Sequence, residues 1–200
     1  GLFSGAAFLM GRIGERELAA HAVALQVAAF FFQVPFGVGQ AATIRVGYHF
    51  GAGNRRAIGN AGLAALATGV AFAALSASLM LIAPRLILSL YLDVDAAANA
   101  ALVALAVRYL TVASAFQFAD GIQAIAAGAL RGLQDTQVPM VIAVSGYWLA
   151  GFAVAAALGL GTPLGGLGVW IGLAVGLVLV AGLLLWRWTA RGRWFDPSLP

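Results

Sequence analysis

Long apolar runs, each closed by a short turn that carries the charge, leave this chain few ways to fold. Of its 200 residues 62% are hydrophobic and only 9% are charged. Soluble domains carry about 25% charged residues. A deficit spread over the whole length excludes an ordinary soluble core and predicts an all-α fold, a polytopic membrane helical bundle. With no cysteine, a disulfide framework and any thiolate nucleophile or metal site are excluded.

Six segments follow from the pattern of runs and turns. Gly1–Met10 is about half the length a bilayer span needs, and no basic flank or cleavage pattern marks a signal peptide. It is read as a chain cut inside a transmembrane helix. A charged turn, Gly11–Glu17, leads to a second span from Ala19 to Phe50, expected to be interrupted and kinked at Pro35 and loosened at Gly37 and Gly39. The Gly51–Arg56 turn (GAGNRR) leads to a third span from Ile58 toward Tyr91, whose embedded part Pro84 can end. The acidic connection Leu92–Asp95 precedes a fourth span, Ala96 to Arg131. The fifth is Val138–Leu158 and the sixth Leu167–Trp188, followed by a basic tail to Pro200.

Charge sets the orientation. The formal charge is +4 and all 11 basic residues are Arg. They sit at helix ends rather than on one patch, so topology explains them and no nucleic-acid partner is expected. Arg45, Arg55, Arg56, Arg131, Arg187, Arg191 and Arg193 fall on one side. On the other, Arg12, Arg16 and Arg85 mix with Glu15, Glu17, Asp93 and Asp95. The arginine excess puts the GAGNRR turn, the 132–137 loop and the tail in the cytoplasm. Trp186, Trp188 and Trp194 read as an interfacial belt. Gly146–Gly151 and Gly172–Gly176 have near small-xxx-small spacing, a weak sign of close helix packing.

One acid breaks the apolar run Leu102–Leu130. Asp120 lies eleven residues before Arg131, which puts it about 16 Å deep, near the middle of a hydrocarbon core about 30 Å thick. A charge at that depth marks an ion, proton or substrate site by default; the alternative is an Asp bonded to a neighbouring helix. Such a carboxylate either takes a proton or stands beside a cation, Na⁺ or an organic one. Phe116 lies one turn before Asp120 and Gln123 nearly one turn after, on the same helix face. A ring beside a carboxylate suits an organic cation, though an aromatic in a membrane helix can equally be packing. In the second span Gln26 and Gln33 are seven apart on one face; they either face a cavity or bond between helices. His21 and His49, each near a helix end, read as structural. No catalytic grouping or phosphate-cradling glycine pattern is present, and the chain is not expected to be an enzyme.

With these residues in view the chain resembles the MATE (multidrug and toxic compound extrusion) family, in its C-terminal six-helix half. Three stretches carry the likeness: Ala19-Ala20-His21-Ala22-Val23-Ala24-Leu25-Gln26 leading to Pro35; Ala41-Ala42-Thr43-Ile44-Arg45-Val46-Gly47 with Gly51; and Asp120-Gly121-Ile122-Gln123 running into Gly128-Ala129-Leu130-Arg131-Gly132, Asp135-Thr136 and Pro139. The resemblance covers nearly all of residues 1–190, with 191–200 left as a cytoplasmic tail. It implies one lobe of a twelve-helix antiporter in the bacterial inner membrane, exporting organic cations in exchange for Na⁺ or H⁺ and needing no other cofactor. The family's coupling acid falls on Asp120, the possible Na⁺ ligand. The aromatic before it, Tyr in some members, is Phe116 here, and a cavity aromatic falls on Phe32. Phe116, Gln123, Phe32, Gln33 and Gln26 would line the path. Implied partners are small cationic substrates, membrane lipids and an N-terminal lobe of the same chain. A lipid or polysaccharide flippase of the wider superfamily, and a non-transporting membrane scaffold, are the rival readings.

Overall fold

A computed structural model describes residues 2–193. Trp194, placed above in the interfacial belt, lies outside the described residues, as does most of the proposed tail. The described chain is helical: α1 (Leu2–Ile13), α2 (Glu15–Gly51), α3 (Arg55–Ile82), α4 (Pro84–Leu88), α5 (Ala100–Gly132), α6 (Gln137–Ser145), a π-helical segment (Gly146–Phe152), α7 (Ala153–Gly161) and α8 (Gly166–Thr189). Five helical stretches have the length and composition to cross a membrane. Turn chemistry sets their ends. Asn54 caps α3 by accepting from the Ala57 N–H at 3.0 Å, and Gly53 adopts the left-handed φ of +66° that the GAGNRR turn needs. Pro84 opens α4 after a break at Ala83.

Helix α5 is the axis of the bundle, packed on α2, α3 and α8. Its seam with α2 depends on missing side chains. A Cβ on Gly128 would collide with the Gly39 carbonyl, and one on Gly39 would come within 2.9 Å of the Ala124 carbonyl oxygen. The Thr43 hydroxyl donates across this seam to the Gly128 carbonyl at 2.9 Å. In lipid, where burial of apolar surface gives little drive, close backbone contact and an interhelical hydrogen bond are what hold helices together. The glycines of the fifth and sixth spans meet in the same way: Gly151 backs onto Gly176 and Gly172 onto Ala155.

Three expectations are corrected here. Helix α2 is continuous through Pro35: the proline is buried against Gly121, where an added Cβ would lie 3.4 Å away. Gly39 is a contact point rather than a break. Trp188 is not an interfacial anchor: it is 3% exposed and packs on Gly62, while Trp186 is exposed.

The ends of the bundle sort the charges into two groups. At one, Arg187 pairs with Asp135, and Phe50, Arg55, Leu133 and Arg191 line a common cavity. At the other, the Tyr109 hydroxyl donates to the Glu17 carboxylate and Arg85 pairs with Asp95 at 3.2 Å. The GAGNRR turn, the 132–137 loop and the end of α8 thus share one end.

Candidate functional site

Asp120 faces into the bundle from the middle of α5 and is 8% exposed. Its neighbour in the next turn, Gln123, donates from Nε2 to Asp120 Oδ1 at 3.1 Å. The other end of that amide accepts from the Tyr147 hydroxyl. Three polar groups from two elements therefore form one chain, Tyr147 to Gln123 to Asp120, in otherwise apolar surroundings. The amide is oriented by this: its oxygen is committed to Tyr147, so its N–H faces the carboxylate.

The carboxylate opens on a cavity of about 570 Å³. Its walls are Phe3 of α1, Leu25 and Phe32 of α2, Phe116 of α5, Met140 of α6 and Trp148 of the π-helical segment. An apolar hollow of this size with a few converging polar groups is the form small-molecule sites take, and a carboxylate amid aromatic rings selects for positive charge. Phe116 is fully engaged on one face: it stacks on Trp170 with centroids 5.5 Å apart and planes 11° apart. Trp170 also stacks on Tyr109, at 5.7 Å and 23°. Tyr109 and Phe116 stand two turns apart on α5, so the indole lies between them.

Of the residues singled out by sequence, Asp120, Phe116, Gln123 and Phe32 meet at this cavity. Gln26 and Gln33 do not. Both are exposed, flanking Ala29 one turn to either side, and the wall of this cavity on α2 is made by Leu25, Ala28, Ala29 and Phe32. The two glutamines do lie together, exposed and outside the walls of this cavity. His21, read as sitting near a helix end by a polar loop, is 1% exposed and meets Trp170 edge-on at 5.5 Å. Two site residues had escaped notice, Tyr147 and Trp148. Their signal was slight: a lone hydroxyl-bearing ring in an apolar span. The π-helical segment that carries them, a feature frequent at functional sites, has no sequence signature.

A protein-family model described as MatE matches residues 6–157. Among curated relatives, a probable multidrug resistance protein NorM from Mesorhizobium japonicum is 47% identical over 196 residues, covering 98% of this chain and 42% of the relative. The multidrug resistance protein NorM of Burkholderia vietnamiensis is 48% identical over 186 residues, covering 93% and 40% respectively. The chain thus spans about two fifths of the length of these relatives. Among solved structures, the eukaryotic MATE transporter AtDTX14 superposes with a TM-score of 0.83 at 23% identity, over 94% of this chain and 43% of that one. That likeness establishes the fold.

Proposed function

The chain belongs to the MatE family, and from that premise we propose that residues 1–190 form the C-terminal lobe of a secondary antiporter exporting organic cations in exchange for Na⁺ or H⁺. The protein is an integral membrane protein. In this reading it lies in the bacterial inner membrane, with 191–200 as a cytoplasmic tail and an N-terminal lobe of the same chain completing the cleft. It works as a carrier rather than as an enzyme.

The observation that carries the reading is the cavity at Asp120. A carboxylate held in an apolar wall is tolerable when a proton or a cation neutralises it. Coupling ion and organic cation then compete for one charge, and each can displace the other as the lobes rock. Asp120 binds the coupling ion. Gln123 and Tyr147 orient the carboxylate, and Phe116 and Phe32 present ring surface to an aromatic cation. Among the described residues no group of three or more His, Asp and Glu gathers, so a Na⁺ here would have Asp120 as its charged ligand and neutral oxygens for the rest. The flippase reading fits this cavity less well, since its one charged wall residue repels an anionic headgroup.

Asp120→Asn in the full-length protein is expected to abolish ethidium efflux under both imposed Na⁺ and imposed pH gradients, with membrane insertion unchanged. Efflux at the parental rate from the inserted variant would overturn the reading, and the gradient that drives the parent names its coupling ion.

A further inference from the structure

We propose that the crevice between α5 and α6 is a passage for the coupling ion alone, running from Asp120 to the membrane face that carries Arg131, separate from the drug-sized cavity lined by Phe32 and Trp148. The proposal rests on Asp120 as the coupling carboxylate. A second cavity, of about 270 Å³, adjoins the first and shares three wall residues with it: Gln123, Met140 and Ala143. Its other walls include Ala127, Arg131, Asp135 and Thr136.

Helical spacing explains why the two cavities adjoin. Gln123, Ala127 and Arg131 recur every four residues along α5, and Met140, Ala143 and Tyr147, preceded by the N-cap residue Thr136, form the facing stripe on α6 and its continuation. Where the stripes come level, both helices carry alanine, so a gap remains where larger side chains would have met. The polar groups are spaced along it: Asp120, then the Gln123 amide, then Arg131 and Thr136, about 16 Å from end to end. In the opposite direction along α5 the way is filled by the Phe116–Trp170–Tyr109 stack, whose three members are each at most 1% exposed.

The mouth has no free carboxylate to hold a cation. Asp135 is 8% exposed and would itself attract cations, but Arg187 pairs with it and Arg131 stands in the same cavity wall. Conduction needs sites weak enough to leave, and the pairing leaves Asp120 as the one carboxylate without a cationic partner along the crevice.

The test uses the full-length protein and compares Ala127→Leu with Ala127→Ser. Leu fills the gap. It is expected to cut Na⁺- or H⁺-driven ethidium efflux about tenfold, as hydrocarbon replaces a wetted path, while equilibrium ethidium binding stays within about twofold of the parent, the scatter of a surface change. Ser, of similar size, is expected to keep parental efflux. Parental efflux in Ala127→Leu, beside loss of efflux in Asp120→Asn, overturns the passage and leaves the function reading standing; parental efflux in Asp120→Asn overturns the function reading itself. Should Ala127→Leu lose ethidium binding as well, Ala127→Cys in a chain cleared of other cysteines decides. Reaction with a cationic, membrane-impermeant thiol reagent from the Arg131 side, blocking efflux, supports the passage, and failure to react overturns it.

Discussion

The two halves of α5 are packed in different ways, and Asp120 lies at the boundary. In the first half, Tyr109 and Phe116 grip Trp170, His21 meets its edge, and the Tyr109 hydroxyl donates to Glu17. Tyr109, Phe116, Trp170 and His21 are all buried. In the second half, one face is pressed so closely on α2 that Gly128 and Gly132 admit no side chain. Its other face looks across Ala127 at a gap. A carboxylate among the aromatic rings would be sealed off, whereas Asp120 borders a cavity. At the junction it is shielded yet reachable, the condition for exchanging one positive partner for another.

Removing the aromatic stack is the most severe way to break this contrast. Trp170→Ala leaves a large void between Tyr109 and Phe116 and is expected to destabilise the folded lobe by about 3–5 kcal/mol. Met140→Ala, in the wall of the crevice and 61% exposed, is expected to cost no more than about 0.5 kcal/mol. Thermal unfolding of the purified full-length variants in detergent compares them. Equal losses would mean that the aromatic stack is packed no better than the crevice wall.

The spans, their turns and the shared face of Phe116, Asp120 and Gln123 were legible because glycine, asparagine, proline and charge punctuate the sequence and helical periodicity needs no tertiary information. Facing was harder to read. In a soluble helix the polar side points to water, so a glutamine marks the outside. In a membrane helix lipid and protein core are equally apolar, and the rule loses its reference. For Gln26 and Gln33 the spacing leaves a cavity wall and an interhelical bond equally open; both are exposed and neither lines the cavity at Asp120. Gly39 likewise looked like a helix breaker, because the chain that needs its bare backbone, at Gly128, is remote in sequence. Pro35 lost its expected interruption to the same cause: Gly121 leaves room for the ring. Tyr147 could be linked to Asp120 only once α6 had been placed beside α5.

A smaller effect probes the polar chain at the boundary. Tyr147→Phe keeps the ring and removes the donor to Gln123, freeing the amide to turn its oxygen toward Asp120. One hydrogen bond is worth about 1 kcal/mol, so the variant is expected to insert and to unfold near the parental temperature. Its efflux should require a several-fold different concentration of the coupling ion, because the oriented N–H no longer faces the carboxylate. An unchanged ion dependence would reduce Tyr147 to a wall residue.

The smallest expected effect sharpens the boundary from outside. Gln26→Leu and Gln33→Leu alter exposed positions on α2 that do not line the cavity at Asp120. Neither removes a wall of the cavity, and a change at an exposed helical site is worth within about 0.5 kcal/mol. Both variants of the full-length protein are therefore expected to keep the parental ion dependence of efflux. A shift at Gln33 alone would relocate part of the cation path to the exposed glutamines of α2. There the glutamines, not the α5–α6 crevice, would supply its polar groups, and the division of α5 at Asp120 would no longer describe where the ion travels.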